Sequence, residues 1–391
     1  MTTTVSPTRL ILMGAATTLA GIGLGRFAYA AQLPGLIEAG WLSARDAGFV
    51  GATNLLGYLV GAVLASRLAR RLGPGPVIKL STLLIAVSFL ASMWQGPVWW
   101  FSLWRFVAGV TGALLMVVAP SLIASQLPES KRKRGTAWIF TGVGTGVLIS
   151  ATLVPLLMQQ GPELTWLGLG LIALLPVALV WRPWPGLPQA PQQGQQRARV
   201  GLVLAAIYLA YLLDAVGFVP HTVFWVDYLE RQRDFSTWAA AIQWGLVALG
   251  AISGPFLVGA VARHAGWHRT LFTALALKGT AVLLPMLVPG TLVVSLSSFT
   301  VGALIPGMVA TTMGRIGELV PAHVHATAWG RATALFAVGQ AAAAYLMAPI
   351  YASAEHSSLI FIIGGSALLC AATLTLATPL FAKHKPVTEV S

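Results

Sequence analysis

The chain has few charges and almost no cysteine. Only 9% of its 391 residues are Asp, Glu, Lys or Arg, against about 25% in a soluble domain. So few charges cannot cover a water-facing surface, which excludes an ordinary soluble globule. The single cysteine, Cys370, excludes an intrachain disulfide, and its apolar surroundings predict a packed, inert thiol. A nucleotide-binding loop is also lacking. The glycines of GIGLG (Gly21–Gly25) follow no strand and have the wrong spacing, so ATP drive is not expected. No Ser/His/Asp set, metal cluster or pair of carboxylates converges in one layer, which argues against a membrane-embedded enzyme. The HxH of His323 and His325 has no evident third ligand. The longest stretch outside the apolar runs, 183–199, is too short for the soluble domain of a receptor or sensor, the second class of function considered.

Apolar length is what the chain does have. Hydrophobic residues make up 57% of it and the mean hydropathy is +0.79. A helix crosses the hydrocarbon core with about 20 apolar residues. Leu80–Trp104, Gly135–Pro162, Phe235–Ala262 and Gly279–Gly314 each exceed that without a charge, and Pro289-Gly290 divides the last. Twelve spans are expected, at about 9–32, 46–66, 76–95, 98–126, 135–159, 164–182, 200–226, 236–262, 269–288, 291–314, 327–351 and 357–381. They are helices, because only helices and closed barrels satisfy the backbone in lipid. Barrel strands would be about ten residues long and strictly alternating.

The net charge of +13 does not point to nucleic acid, because the basic residues fall in short loops. Of the 24, only Arg45, Arg231 and Arg233 lie on the side opposite Arg9, and Arg26, Arg105 and Lys278 lie within spans. By the positive-inside rule both termini are expected in the cytoplasm, in an inner membrane. Trp41, Trp94, Trp99, Trp181, Trp184 and Trp267 mark span ends. The KRKR of Lys131–Arg134 fixes topology and attracts anionic lipid. No cleavage site follows the first apolar run, so that span is expected to be retained.

Pro183–Arg199, rich in Pro, Gln and Gly, predicts a cytoplasmic linker (183–199) between an N-terminal bundle (1–182) and a C-terminal bundle with a short tail (200–391). The halves echo each other. Ala69-Arg70-Arg71-Leu72-Gly73 recurs as Ala262-Arg263-His264-Ala265-Gly266 at an offset of 193, as do Ser102-Leu103, Phe106, Gly109 and Pro128. Thr136-Ala137-Trp138 returns at 191. Ordered matches near half the chain length predict a duplicated six-helix unit, a known transporter architecture.

These features, with a basic loop after span 2, an arginine in span 4 and a glycine-rich span 5, resemble the major facilitator superfamily. GIGLGRFAYAAQLPGL, GATNLLGYLVGA and the VGQ at Val338–Gln340 are similar to its YbfB/YjiJ-type branch. The sequence departs from the superfamily pattern at Ala65-Ser66-Arg67, where an aspartate is usual, and in Gly142–Gly146, which lacks a proline. The resemblance implies an all-α polytopic fold of twelve transmembrane helices in two pseudo-symmetric six-helix bundles. Spans 1, 4, 7 and 10 would line a central cavity.

Charges within the spans are the candidate functional groups, since each costs about 2.5–3.5 kcal/mol at a helix centre. Arg26 would give the cavity a fixed positive charge, while Gly21, Gly23 and Gly25 allow close approach. Snorkelling to the outer headgroups is the other reading. Arg105, at similar depth, is a second candidate for substrate binding, or else pairs with backbone carbonyls. Asp214 in span 7 is the candidate for proton coupling, or else forms a permanent pair with an arginine. His221, on the same helix face, could extend a proton path. Asn54, Tyr58, Gln243 and Gln340 are uncharged groups suited to substrate hydrogen bonds or to helix–helix bonds. Lys278, on a helix the resemblance makes peripheral, is expected to support structure or snorkel.

A secondary active transporter working by alternating access is expected. It would move a small anionic or zwitterionic molecule and be coupled to protons. The alternatives are a multidrug or metabolite exporter of the same fold and a non-transporting receptor. The expected partners are a small-molecule substrate, protons and membrane lipid, with no cofactor, no nucleic acid and a monomeric state.

Overall fold

The structure, a computed structural model, describes residues 6–182, 184 and 201–382. Apart from Trp184, the expected linker lies outside the described residues, as does the tail beyond residue 382. Among the described residues, eleven helices are long and apolar enough to cross a membrane by length and composition. In chain order they are built from α1 (Pro7–Thr18), α2 (Phe27–Glu38), α3 (Ala44–Leu72), α4 (Pro74–Ala91), α5 (Val98–Gln126), α6 (Glu129–Met158), α7 (Pro162–Val180), α8 (Leu202–Val219), α9 (Trp225–Gln232), α10 (Thr237–Leu287), α11 (Thr291–Leu319), α12 (Ala322–Ala352) and α13 (Leu359–Ala382). The short turns between consecutive helices make successive spans run in opposite directions. One end of the molecule, with Arg9 and Gly73, is called the near end; the other, with residues 39–43, the far end.

Two spans are interrupted at mid-length. A π-helical turn, Leu19–Leu24, separates α1 from α2, and another, Pro220–Phe224, separates α8 from α9. Pro220 has no N–H to donate into its own helix, which accounts for the second break. At the first, the backbone is pressed against a neighbour. A Cβ on Gly23 would sit 2.7 Å from both Gly146 Cα and Val143 O of α6. Gly23 therefore fastens this span to α6, backbone to backbone, while Gly21 packs against Gly112 and Leu115 of α5.

Spans expected at 236–262 and 269–288 lie on either side of Gly266, a non-helical kink at φ 75° and ψ 163° that joins the two helical stretches of α10. Gly73, which divides α3 from α4, has φ 83°. Both sites need a left-handed residue that glycine adopts without steric cost, and they are 193 residues apart. Other geometry recurs at that spacing. Ser43 and Ser236 cap α3 and α10, their Oγ atoms accepting from Asp46 N–H and Ala239 N–H. A Cβ on Gly109 of α5 would lie 2.0 Å from Asn54 O, and one on Gly302 of α11 2.2 Å from Val247 O. The α3–α5 and α10–α11 crossings are thus notched by glycines in the same way, as expected where small residues let helix backbones approach in lipid.

Side-chain hydrogen bonds also join the first and second halves of the chain. Arg26 Nη2 donates to Gln340 Oε1 at 2.7 Å, and Trp244 Nε1 donates to Ser150 Oγ at 3.1 Å. The Thr53 and Tyr345 hydroxyls pair at 2.9 Å. All three lie from mid-depth toward the far end. Leu171, Leu175 and Leu346 are among the large apolar side chains left exposed, as a lipid-facing surface requires. Cys370 is exposed too, not packed as expected. Its apolar neighbours in sequence fit a lipid-facing position as well as a core one.

The glycine notch yields a stability prediction. Gly109→Ala should destabilise the protein by about 1–3 kcal/mol through overpacking against a backbone carbonyl that cannot yield. Gly330→Ala, where a Cβ meets nothing within 4 Å, should unfold at or above the parent temperature. Thermal unfolding in detergent compares the two.

Candidate functional site

Arg26 is the residue between the Leu19–Leu24 π-turn and α2, at the N-cap position of α2. The break turns its half-buried side chain toward α8 and α12 instead of along its own helix. Its guanidinium carbon lies 4.6 Å from the ring centroid of Phe218, 5.4 Å from that of Tyr58 and 5.7 Å from that of Phe27. Cation–π contacts of this kind contribute about 0.5–2 kcal/mol each. Nη2 is engaged by Gln340, while Arg26 Nε and Gln340 Nε2 make no hydrogen bond to the protein. Among the described residues no carboxylate forms an ion pair with Arg26.

Asp214 of α8 is 1% exposed, and its partner is a lysine. Lys278 Nζ donates to Asp214 Oδ1 at 2.6 Å, with both side chains 1% exposed. Asp214 Oδ2 makes no hydrogen bond to the protein. Lys278, expected to support structure or snorkel from a peripheral helix, is fully buried in this pair, and Nζ lies 5.6 Å from the Phe218 centroid. One phenylalanine ring thus has Arg26 on one approach and the Lys278–Asp214 pair on another. Two cations and one carboxylate leave this group with a surplus of one positive charge, carried at Arg26.

The structure brings together Arg26, Tyr58 and Gln340, with Asp214 adjoining through Lys278 and Phe218. The other candidates lie elsewhere. Arg105 is 1% exposed between Phe89 and Trp166, whose centroids are each 5.0 Å from its guanidinium carbon. It donates to Ser88 Oγ at 3.3 Å, so its charge points into the packing of α4, α5 and α7. Asn54 Nδ2 donates to Gly25 O and Arg105 O at 3.2 and 3.0 Å, bracing the backbone beside Arg26 instead of facing a ligand. Gln243 Oε1 accepts from Ser298 Oγ at 3.4 Å. His221 shares a 2.9 Å hydrogen bond with Ser297 and stacks on Trp225 at 4.1 Å.

Lys278 and Phe218 are the members that sequence reasoning missed. The signal for Lys278 was present: it and Asp214 are the opposite charges deep in spans of the second half, and neither is stable alone in lipid. Phe218 follows Asp214 by one helical turn and so shares its face.

The chain belongs to the major facilitator superfamily: residues 18–376 match the family described as "Uncharacterised MFS-type transporter YbfB". It is 24% identical over 363 residues to the gentisate transporter of Corynebacterium glutamicum, covering 86% of this chain and 80% of that one. The class D tetracycline resistance protein of Salmonella ordonez is 27% identical over 239 residues, 57% of this chain and 59% of that one. The gallate transporter of Pseudomonas putida is 24% identical over 294 residues, 64% of each. Among solved structures, a D-xylose–proton symporter superposes with a TM-score of 0.76 at 17% identity, covering 94% of this chain and 97% of that one. An inward-facing bacterial homologue of the lysosomal transporter Spinster gives 0.74 at 15% identity, covering 98% and 99%.

Removing one partner of the buried pair should be costly and removing both should not. Lys278→Met alone strands Asp214 and should destabilise by about 3–5 kcal/mol, whereas Asp214→Asn with Lys278→Met should regain most of that loss. Thermal unfolding of both variants in detergent checks the sign and the recovery.

Proposed function

We propose that this protein is a secondary active transporter of small aromatic carboxylates, working by alternating access with proton coupling. In this reading the chain makes twelve spans, α10 supplying two of them across Gly266, with both termini in the cytoplasm and the protein in the inner membrane. Residues 1–182 and 200–391 form two six-helix bundles joined by the 183–199 linker, and one bundle rocks against the other. The observation that carries the proposal is Arg26, a guanidinium at mid-depth without a carboxylate partner, set among aromatic rings. A guanidinium keeps its proton, so it serves as a fixed anion anchor, and the rings beside it suit an aromatic acid. The names of the gentisate and gallate transporters support the same substrate class.

Asp214 is the proton-coupling group in this proposal. Its carboxylate holds Lys278 while ionised, and protonation releases the lysine next to Phe218, changing the charge that Arg26 and its ligand experience. His221, occupied by Ser297 and Trp225, serves packing here. The tetracycline-resistance relative favours a second reading, export of a drug by the same fold; the surplus positive charge at Arg26 disfavours cationic cargo.

Two measurements test the proposal. In a ligand screen by thermal stabilisation, aromatic carboxylates should raise the unfolding temperature of the parent and have no effect on Arg26→Ala; an anionic ligand that stabilises Arg26→Ala at full strength removes Arg26 from the site. In vesicles, Asp214→Asn combined with Lys278→Gln should keep substrate exchange and lose proton-driven accumulation. Accumulation that persists in that variant excludes Asp214 as the coupling group.

A further inference from the structure

Phe218, beside Arg26, belongs to a longer row of rings. Starting from the near end, Trp329 lies 5.7 Å from Tyr211, Tyr211 lies 4.6 Å from Phe336, and Phe336 lies 5.8 Å from Phe218. Phe218 then lies 6.3 Å from Phe27, and Phe27 lies 6.1 Å from Trp244. Every step falls within the 4.5–7 Å range of favourable ring pairs. Helix periodicity explains the row. Tyr211, Asp214 and Phe218 fall on one face of α8 at i, i+3 and i+7, and Trp329, Phe336 and Gln340 on one face of α12 at i, i+7 and i+11. Both faces therefore carry rings toward the near end and a polar group close to Arg26.

The row differs in exposure along its length. Trp329 and Phe336 are partly exposed, Tyr211 and Phe218 are 3% and 4% exposed, and Phe27 and Trp244 are 1% and 0%. Toward the far end the Trp244–Ser150 hydrogen bond joins the two halves of the chain. The partly exposed rings, Trp329 and Phe336, lie on the near-end side of Arg26, so an anion approaching from that end would meet their faces. Those faces interact with a flat π ring in a way they cannot with a saturated one of the same charge and nearly the same size.

We propose that Trp329, Tyr211 and Phe336 form a stacking row that carries the ring of an aromatic carboxylate to Arg26. The same row makes the protein select aromatic over saturated carboxylates. The inference rests on the anion reading of Arg26 and adds the residues that set specificity.

The probes are benzoate and cyclohexanecarboxylate, titrated against the purified full chain in detergent, as the parent, Phe336→Leu and Arg26→Ala. The parent should bind benzoate about fivefold more tightly. Phe336→Leu should abolish that ratio while leaving cyclohexanecarboxylate affinity within about twofold, and Arg26→Ala should lose both ligands. Equal binding of the two by the parent overturns the row and leaves the Arg26 reading standing, as does an equal weakening of both by Phe336→Leu. If the parent binds neither, the anion reading falls and the row falls with it. Should Phe336→Leu fail to fold, the ratio measured on the parent alone decides.

Discussion

Charge in a low-dielectric interior must be balanced locally, and the way this chain does so shapes its centre. Lys278 and Asp214 neutralise one another at 2.6 Å, both buried. Arg26 has no such counterpart. It is held by one amide oxygen and the faces of three aromatic rings, which stabilise a cation without neutralising it. Phe218 touches both arrangements, so the balanced pair and the unbalanced guanidinium share one electrostatic environment. A change in charge at either is felt by the other through a few ångströms of weakly screening material.

The helices around this centre place Arg26 by local means. The backbone contact of Gly23 with α6, the π-turn that contains it and the amide of Asn54 holding Gly25 O together set where the side chain leaves its span. Arg105 shows the contrasting outcome. It has the same functional group at comparable depth, yet its helix aims it between Phe89 and Trp166. Depth within a span therefore does not decide whether a buried arginine meets a ligand; the face of the helix it stands on does.

That contrast marks how far the amino-acid sequence could be read. Spans were legible because hydropathy is a local property, and the 193-residue echo of Gly73 in Gly266 proved to be an echo in backbone conformation as well. The kink that separates the two stretches of α10 falls at Gly266, the residue that the repeat pairs with Gly73. The partner of Asp214 was missed because it lies 64 residues away on a span that resemblance made peripheral. Arg26, Tyr58 and Gln340 were each singled out, but their meeting depends on helix rotations that one sequence does not state. Cys370 failed for a related reason: hydropathy is the same for a side chain facing lipid and one facing protein.

The two π-turns have a mechanical consequence. Each replaces the regular hydrogen-bond ladder over five or six residues at mid-length, so the span there is less stiff than the α-helix on either side. A rod softened at its middle behaves as two short arms about a shared pivot. For Leu19–Leu24 the pivot is clamped to α6 and the arm beyond it begins at Arg26. A small angular change in that arm would swing the guanidinium while the rest of the bundle stayed still.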